Sequence, residues 1–420
     1  MKKVFNFRQQ IKHFRSLFDG RTYKTFQSVI NGMALLRQWS QSDLAALGDK
    51  TIRQIQYFFS TAKWSVEQLN AFRLRFVQNK KDFHDRKSDF AALDGSTTRK
   101  DKDAHFGNLV SPVWSGRDHQ VVNGLRLFGA SIQTKTGRKY ILDFSLYISS
   151  LWKSEKEAWK EFMTTVSKKS HAWLFVLDSG FRGQYIAKHI FTTLKRTFLI
   201  RLLPSQYVWV KRKRPRVGFR KRKENPEYSL PDRRLRSIRS FLRGHDAVQV
   251  EKGKIWIIPH VVIHAWRGVF REEVTIIVYH KDGFRKPLVL CLSQAEVTQD
   301  EAFSFVQTYF KRWSIEQLFK EIKSWFQFEK FKITSLEGIQ KYLHLVILVH
   351  TLFTSKTAEI EHIPRLKHII QIILKAKRNI IEFTLIGLKL LANMVSFPTS
   401  LKSIKRLLHA QNLCLSYRFL

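Results

Sequence analysis

Residues Ala172-Trp173-Leu174-Phe175-Val176-Leu177 form an unbroken apolar run that stops at an aspartate, Asp178. A strand that is apolar at every position has no face to give to water, so it must be covered on both sides, and in α/β folds helices do the covering. The residues before it agree. Gln120 to Ile132 and Lys139 to Ile148 are rich in β-branched and aromatic residues, with Thr136-Gly137 as a turn between them. Ser154 to Val166 reads as a helix, and further upstream Phe90-Ala91-Ala92-Leu93 is a short apolar run ending in Asp94-Gly95. Three strands, a helix and a buried strand predict an α/β fold with a mixed sheet.

On either side the pattern changes. Residues 1–88 read as helical: Thr25 to Trp39 has apolar residues at helical spacing, and Ser65-Val66-Glu67-Gln68 is a capping box that opens another helix. Between them, Ser42 to Gly48 followed by Thr51 to Ser60 has the form of a helix–turn–helix, which would put Arg53, Gln54 and Gln56 near the start of a DNA-reading helix; an ordinary pair of packed helices explains the pattern equally well. After Ile200 the composition shifts to a basic run made of Lys211, Arg212, Lys213, Arg214, Arg216, Arg220, Lys221, Arg222 and Lys223, extended by Arg233, Arg234, Arg236 and Arg239. Strand-like pieces follow at Lys254–Ile258, Val261–Trp266, Val274–Tyr279 and Pro287–Leu292, so residues 201–285 read as a β-rich basic insertion. Thr298-Gln299-Asp300-Glu301 is a second capping box, opening a long helix to roughly Phe326, and the rest is helical and apolar-patterned, as at Ile380 to Val395. The expected layout is a helical region over 1–88, an α/β core over 89–200 and 286–330 with the insertion between, and C-terminal helices over 331–420.

Charge narrows the function. Lys and Arg number 74 against 34 Asp and Glu, a formal net charge of +40, and an excess of that size repels itself unless a polyanion neutralises it. Nucleic acid is the usual polyanion, since each cation at a phosphate releases a condensed counterion. The two cysteines, Cys291 and Cys414, suit a reducing cytoplasm without a disulfide framework. No apolar run follows the basic start at Met1 to Arg8, so no secretory signal is expected, and Tyr342 to Phe353, the most apolar stretch, is too short for a bilayer and reads as a buried helix. A soluble cytoplasmic protein is expected. No Gly-rich phosphate loop ending in Lys-Ser/Thr is present, which argues against an ATP-driven machine.

The residues with the most chemistry sit on the long helix: Tyr309, Arg312, Glu316 and Lys323. At about 100° per residue they fall at roughly 0°, 300°, 340° and 320°, one narrow face, whereas Glu321 points roughly 140° away from Glu316. One carboxylate between a phenol and two cations suits phosphate handling, the carboxylate holding a metal while the cations grip the backbone. A solvated face with an Arg312–Glu316 ion pair is the plainer alternative.

The spacings of two, three and six residues between these four match the Tyr-Arg-Glu-Lys signature of bacterial insertion-sequence transposases of the insertion-sequence-four type, a group of the DDE transposases. Leu93-Asp94-Gly95-Ser96-Thr97 and Val176-Leu177-Asp178-Ser179-Gly180-Phe181 resemble that group's first and second aspartate motifs, so the resemblance spans about residues 89–325 in order. It implies an RNase H-like core with a β-rich insertion between the second aspartate and the glutamate, and helical regions at both ends. Asp94, Asp178 and Glu316 would be the catalytic carboxylates and hold two Mg²⁺ ions, with Mn²⁺ able to substitute. Two such ions clamp the attacking and leaving oxygens of an in-line displacement. The implied reaction is cut-and-paste transposition: cleavage at the transposon ends and joining of the freed 3′ ends to target DNA. Tyr309, Arg312 and Lys323 would hold phosphates, Trp256 or Trp266 would stack a flipped base, and the partners would be double-stranded DNA at terminal inverted repeats and target, with a second copy of the chain in a homodimeric synaptic complex at the nucleoid.

Other candidates remain. Asp143, in Tyr140 to Phe144, could take the place of Asp94, although Asp94 is favoured because it ends its strand before a glycine at a sheet edge. Asp101, Asp103 and Asp118 read as solvated loop residues, and His260 and His264 as structural, with no Cys or carboxylate to complete a zinc set. The basic run, Lys211 to Lys223, reads as a sequence-independent DNA clamp, with a disordered basic loop as its bland alternative. A DNA-binding protein of transposase descent that does not cut, and a general RNase H-like nuclease, are the competing functions.

Overall fold

The computed structural model describes residues 7–35, 40–47, 49–86, 89–100, 109–116, 118–134, 136–211, 233–325 and 333–361. In chain order the helices α1 (Phe7–Lys12), α2 (Gly20–Leu35), α3 (Gln41–Leu47), α4 (Ile52–Ser60) and α5 (Val66–Gln78) come first. Strands β1 (Phe90–Arg99), β2 (Ser111–Ser115), β3 (Gln120–Gln133) and β4 (Lys139–Tyr147) follow, then α6 (Glu155–Lys169), β5 (Leu174–Leu177), α7 (Gln184–Lys188), β6 (Thr197–Leu202), β7 (Tyr207–Lys211) and β8 (Arg233–Ser237). The last elements are α8 (Ile238–Leu242), β9 (Val248–Val250), β10 (Gly253–Ile263), β11 (Val274–Lys281), β12 (Leu288–Leu292), α9 (Gln299–Lys311), α10 (Ser314–Trp325) and α11 (Leu336–Glu361). They divide into two compact units, one of residues 1–80, 104–106 and 321–420, the other of residues 81–103 and 107–320.

In the helical unit, α4 is opened by a reciprocal cap, with the Thr51 hydroxyl accepting from Gln54 N–H and the Gln54 side chain accepting from Thr51 N–H. The Ser65 cap of α5 is one-sided, accepting from Gln68 N–H. Phe14, Phe18, Phe26, Phe58 and Trp64 form an aromatic core. The expected buried helix over Tyr342–Phe353 lies within α11. Two buried cations are tied down as burial demands: Lys341 Nζ donates to the Ala62 carbonyl at 2.7 Å and reaches Glu337 at 2.6 Å, and Arg73 donates to Asn70 and Thr351. No described helix is long and apolar enough to cross a membrane.

The other unit is built on a 12-stranded mixed sheet ordered β2-β3-β1-β5-β6-β12-β11-β10-β7-β8, with β4 on β3 and β9 on β10. The fully apolar β5 is flanked by parallel neighbours, β1 and β6, as its composition required. The Gly137 turn between β3 and β4 takes φ +80°, where a glycine is at ease. Ser154 caps α6 through Glu157 N–H.

Three expectations need correction. Asp94 does not end its strand: β1 runs on to Arg99, because β3 offers antiparallel partners along its whole length, and only the parallel pairing with β5 stops at Leu93. The long helix is two helices. Arg312 N–H bonds to Tyr309 O and Ile315 N–H to Arg312 O, both tight i→i+3 closures that break α9 from α10. Finally, Lys254–Ile258 and Val261–Trp266 are one strand, β10, carried across a bulge where His260 takes φ 54°; it ends at Ile263, and Trp266 sits in a following 3₁₀ turn.

Candidate active site

The site forms where the parallel pairing of β1 and β5 runs out. Leu93 faces Leu177 across the last parallel pair, so the next residues, Asp94 and Asp178, stand side by side just beyond it. Asp178 leaves the strand by capping a 3₁₀ turn, its carboxylate accepting from Gly180 N–H, and Asp94 accepts from Gly95 N–H at 2.7 Å.

The third carboxylate arrives on α10, and a glycine makes room for that helix. Gly129 is the cross-strand partner of Asp94 on β3. A side chain there would collide with Phe144 and Phe319, which pack together at 5.1 Å over the bare backbone. Lys139 Nζ adds a bond to Gln317 at 3.1 Å. With Phe319 anchored, Glu316 one turn earlier faces the aspartates.

Arg312 joins them. Its guanidinium donates to Asp94 Oδ2 at 3.2 Å through Nη1 and to Glu316 Oε1 at 2.5 Å through Nη2. Arg312 is buried, at 8% side-chain exposure, while Glu316 at 41% opens to solvent. Its Nε is buried without a partner. The guanidinium lies 5.4 Å from the centre of the buried Tyr309 ring, whose hydroxyl approaches it without a well-directed hydrogen bond. Tyr309, Arg312 and Glu316 are thus brought together, by a helix break rather than by one continuous helical face.

The electrostatics are those of a crowded anionic site. Burial pushes the Asp94 carboxyl up to about 6; Arg312 and the Gly95 N–H oppose this, and the negative charges of Asp178 and Glu316 add to it. Burial works against the Arg312 cation, yet Tyr309, Asp94 and Glu316 together raise its pKa. Tyr309 is raised by burial, with Arg312 and Arg201 opposing and Asp178 adding. Arg201 is a residue the sequence reading missed. It is exposed on β6, next after Ile200, the partner of Leu177, and only the sheet register reveals it beside Asp178.

The remaining candidates separate clearly. Asp143 is buried and bonded to Lys169 Nζ at 2.5 Å. Glu321 turns to His350, accepting at 2.8 Å. Lys323 is half-buried on α10, and Asp118 accepts from Ser115. His260 bonds to Glu273 at 2.6 Å, and His264 accepts from the Trp209 indole. Trp266 cannot stack a base: it is 2% exposed, its N–H donates to Arg182 O, and it packs on Phe198 and Phe270. Trp256 is half-buried and donates to His245 O. Trp313, next to Arg312, is 59% exposed, as open as Trp114 on β2 at 57%. Arg53 is exposed on α4, but the Gln54 carbonyl is spent on the helix cap. Lys211, exposed at the end of β7, lies 3.7 Å from Glu273. Residues Arg212 to Lys223, Asp101, Asp103, Gly48 and Ile380 to Val395 lie outside the described residues.

The sequence pattern of the family described as Transposase DDE domain matches residues 86–352, well over half of the chain and all of the site. The chain belongs to the DDE transposase family. A comparison with curated proteins gives no match. Membership of the DDE transposases makes the chain a transposase of mixed α/β fold, in a family whose substrates are DNA.

Proposed function

We propose that this transposase, of the insertion-sequence-four type, binds transposon ends, cleaves there and joins the freed 3′ ends to target DNA, with Asp94, Asp178 and Glu316 as its catalytic carboxylates. One observation carries the reading: two aspartates stand side by side where a parallel strand pair ends, and a helix glutamate is tied to one of them through a shared arginine.

The donor chemistry suits divalent magnesium. Three hard-oxygen ligands meet at a site where burial pushes Asp94 up to about 6, and the negative charges of Asp178 and Glu316 add to that push. Among the described residues no three such groups stand close enough to hold an ion as they are, and Arg312 bridges Asp94 and Glu316. On this reading the three carboxylates would close on the metal once Arg312 turns away. Asp94, Asp178 and Glu316 would hold two Mg²⁺ ions, which when bound supply the Lewis-acid charge for phosphoryl transfer.

The chain's own groups do the positioning. Arg312 trades its carboxylates for a DNA phosphate, a bidentate match for a planar guanidinium. The Tyr309 hydroxyl and Lys323 grip the same end, and Trp313, the one exposed indole beside them, stacks an unpaired base. Strands β7 to β11, entered after β6 and left before β12, are the β-rich insertion of an RNase H-like core, corresponding to residues 201–285. Its basic run from Lys211 to Lys223 clamps the backbone, α3 and α4 with Arg53 read the end sequence, and a homodimer synapses two ends.

The test compares wild type with Glu316→Ala in Mg²⁺-dependent cleavage of DNA carrying the element's ends. Wild-type cleavage with a variant that binds but does not cut supports the reading. Equal cleavage by both removes Glu316 from the chemistry, and binding without cleavage by both leaves a DNA-binding protein.

A further inference from the structure

The basic stretch after β7 holds two kinds of arginine. Arg233 is structural: it is 6% exposed, donates to the His260 carbonyl at 2.6 Å and pairs with Glu273. Arg234 and Arg236, one and three residues later on β8, are not. With Arg243, just past α8, they line an open cleft of about 580 Å³, shared with Tyr207, Ser237 and Ser240. Among the described residues no carboxylate lines it, and none of the three arginines forms an ion pair. Tyr207, 53% exposed, sits across from Ser237 in the β7–β8 ladder.

Three guanidinium groups around one concavity, without an ion pair among the described residues, repel one another and are held there by backbone. Arg234 and Arg236 are fixed by ladder partners Val210 and Val208, and Arg243 follows α8, which is capped by Ser237 and anchored by buried Ile238 and Phe241. Such an arrangement is unfavourable in isolation and becomes favourable when a polyanion enters. Arginine on a rigid frame suits phosphate better than mobile lysines do, because its planar fork is already organised. Two residues along a strand rise about 6.8 Å, which is two nucleotide steps along the axis of a DNA strand.

We propose that this arginine cleft is a DNA-binding site of its own, separate from the catalytic carboxylates, taking the sugar–phosphate backbone of duplex DNA well away from the cleavage point. The catalytic reading supplies only the identity of the DNA. Along the sheet the cleft is six inter-strand steps from β5, through β6, β12, β11, β10 and β7 to β8. At about 4.8 Å per step the separation is on the order of 29 Å, or about eight base pairs. The cleft therefore fixes the register of the duplex while the carboxylates cut it, and it contributes salt-dependent affinity without sequence preference.

The test uses the full chain, wild type against the triple variant Arg234→Gln, Arg236→Gln, Arg243→Gln and the corresponding triple lysine variant. Binding to a 40-base-pair duplex (about four helical turns, long enough to reach both sites) is measured across salt, with backbone protection mapped by hydroxyl radicals. The glutamine triple is expected to lower the slope of log K against log salt by about 2.7, near 0.9 per lost phosphate contact. It should also lose protection on the order of eight base pairs from the cut. The lysine triple should keep the slope. An unchanged slope with unchanged protection overturns the proposal, as does millimolar inorganic phosphate displacing the duplex from the cleft, which would mark a small-anion site. Preference for duplex RNA over DNA overturns it too. Thermal melting checks the fold, and should the triple melt early, the three single variants, each expected to lower the slope by about 0.9, decide the matter. If wild type fails to cut DNA ends, the catalytic reading falls, while the slope difference still settles the cleft.

Discussion

Replacing Asp94 with Asn should stabilise the protein, and by an amount that depends on pH in a definite direction. Asp94 titrates at about 6 in the folded chain against an ordinary 3.8, because burial and the charges of Asp178 and Glu316 outweigh the help from Arg312 and Gly95. The folded state thus holds this proton more tightly than the unfolded state does. Stability contributed by the group is present at low pH and is lost as pH rises from about 4 through 6, after which it stays lost. At 1.36 kcal/mol per unit, the penalty is roughly 1.5 kcal/mol at pH 5 and roughly 3 kcal/mol at pH 8, the upper end of what one mutation commonly changes.

Asparagine keeps the shape and removes the titration. Urea unfolding of wild type and Asp94→Asn, followed by intrinsic tryptophan fluorescence at pH 5 and pH 8 in moderate salt, should show the variant more stable at both, with the gap widening by about 1.5 kcal/mol at the higher pH. Mg²⁺ should stabilise wild type at pH 8 and leave the variant nearly unchanged, because a bound cation removes the same penalty. A variant less stable than wild type at pH 8 would refute the reasoning, since it would mean that the Arg312 bond outweighs the burial of the charge. A gap that does not change with pH would also sink it.

Other consequences are read in the same way. Arg312→Ala should bind Mn²⁺ more tightly than wild type in the absence of DNA, by about tenfold for each 1.4 kcal/mol of the lost ion pairs, as read by Mn²⁺ paramagnetic resonance; unchanged affinity would show that the guanidinium does not compete with the ion. Gly129→Ala should destabilise the protein by about 1–3 kcal/mol through overpacking against Phe144 and Phe319, and should reduce cleavage more than DNA binding; wild-type cleavage would mean that the position of α10 does not depend on this contact. Trp313→Ala should leave the unfolding midpoint nearly unchanged while weakening binding of an end with an unpaired base by about 1–3 kcal/mol; equal loss with fully paired DNA would argue against stacking.

The parts of the fold that local physics decides were legible in the sequence. The all-apolar run before Asp178 read as a strand covered on both faces, as β5 is, and Thr298 and Gly137 announced their cap and turn because each does its work within four residues. What failed was what depends on distant partners. Nothing near Asp94 shows that β3 extends past it and keeps β1 in strand conformation to Arg99. Likewise, the break at Arg312-Trp313 has no glycine or proline to mark it, so the apolar period of α9 and α10 reads as continuous. The helical-face arithmetic still grouped Tyr309, Arg312 and Glu316, because tight turns around one break displace neighbours within a turn of each other only slightly. Arg201 was hidden for the opposite reason: its place beside Asp178 exists only in the register of β5 with β6. Trp256 and Trp266 were poor choices for a stacking platform because burial is a property of the packed sheet, and the exposed indole at Trp313 sat unnoticed inside the signature itself.

Tyr309, Arg312 and Asp94 share a feature that a purely structural cluster would avoid. Tyr309 and Arg312 are buried with an ill-directed hydroxyl and an unpartnered Nε, and the half-buried Asp94 has its carboxyl lifted to about 6. Leaving such groups half-satisfied costs about 1–3 kcal/mol apiece, so the folded chain carries a penalty here that it spreads over its large apolar sheet. The guanidinium of Arg312 cannot bond Asp94 and Glu316 and also cradle a phosphate. A phosphate that took it would leave the two carboxylates without their cation and with a higher affinity for a divalent ion, and an ion on the carboxylates would free the guanidinium for phosphate. Linkage makes the two effects equal in size. On the proposed reading, metal and DNA would be coupled through one side chain, and the site would reach its full charge balance only when both are present.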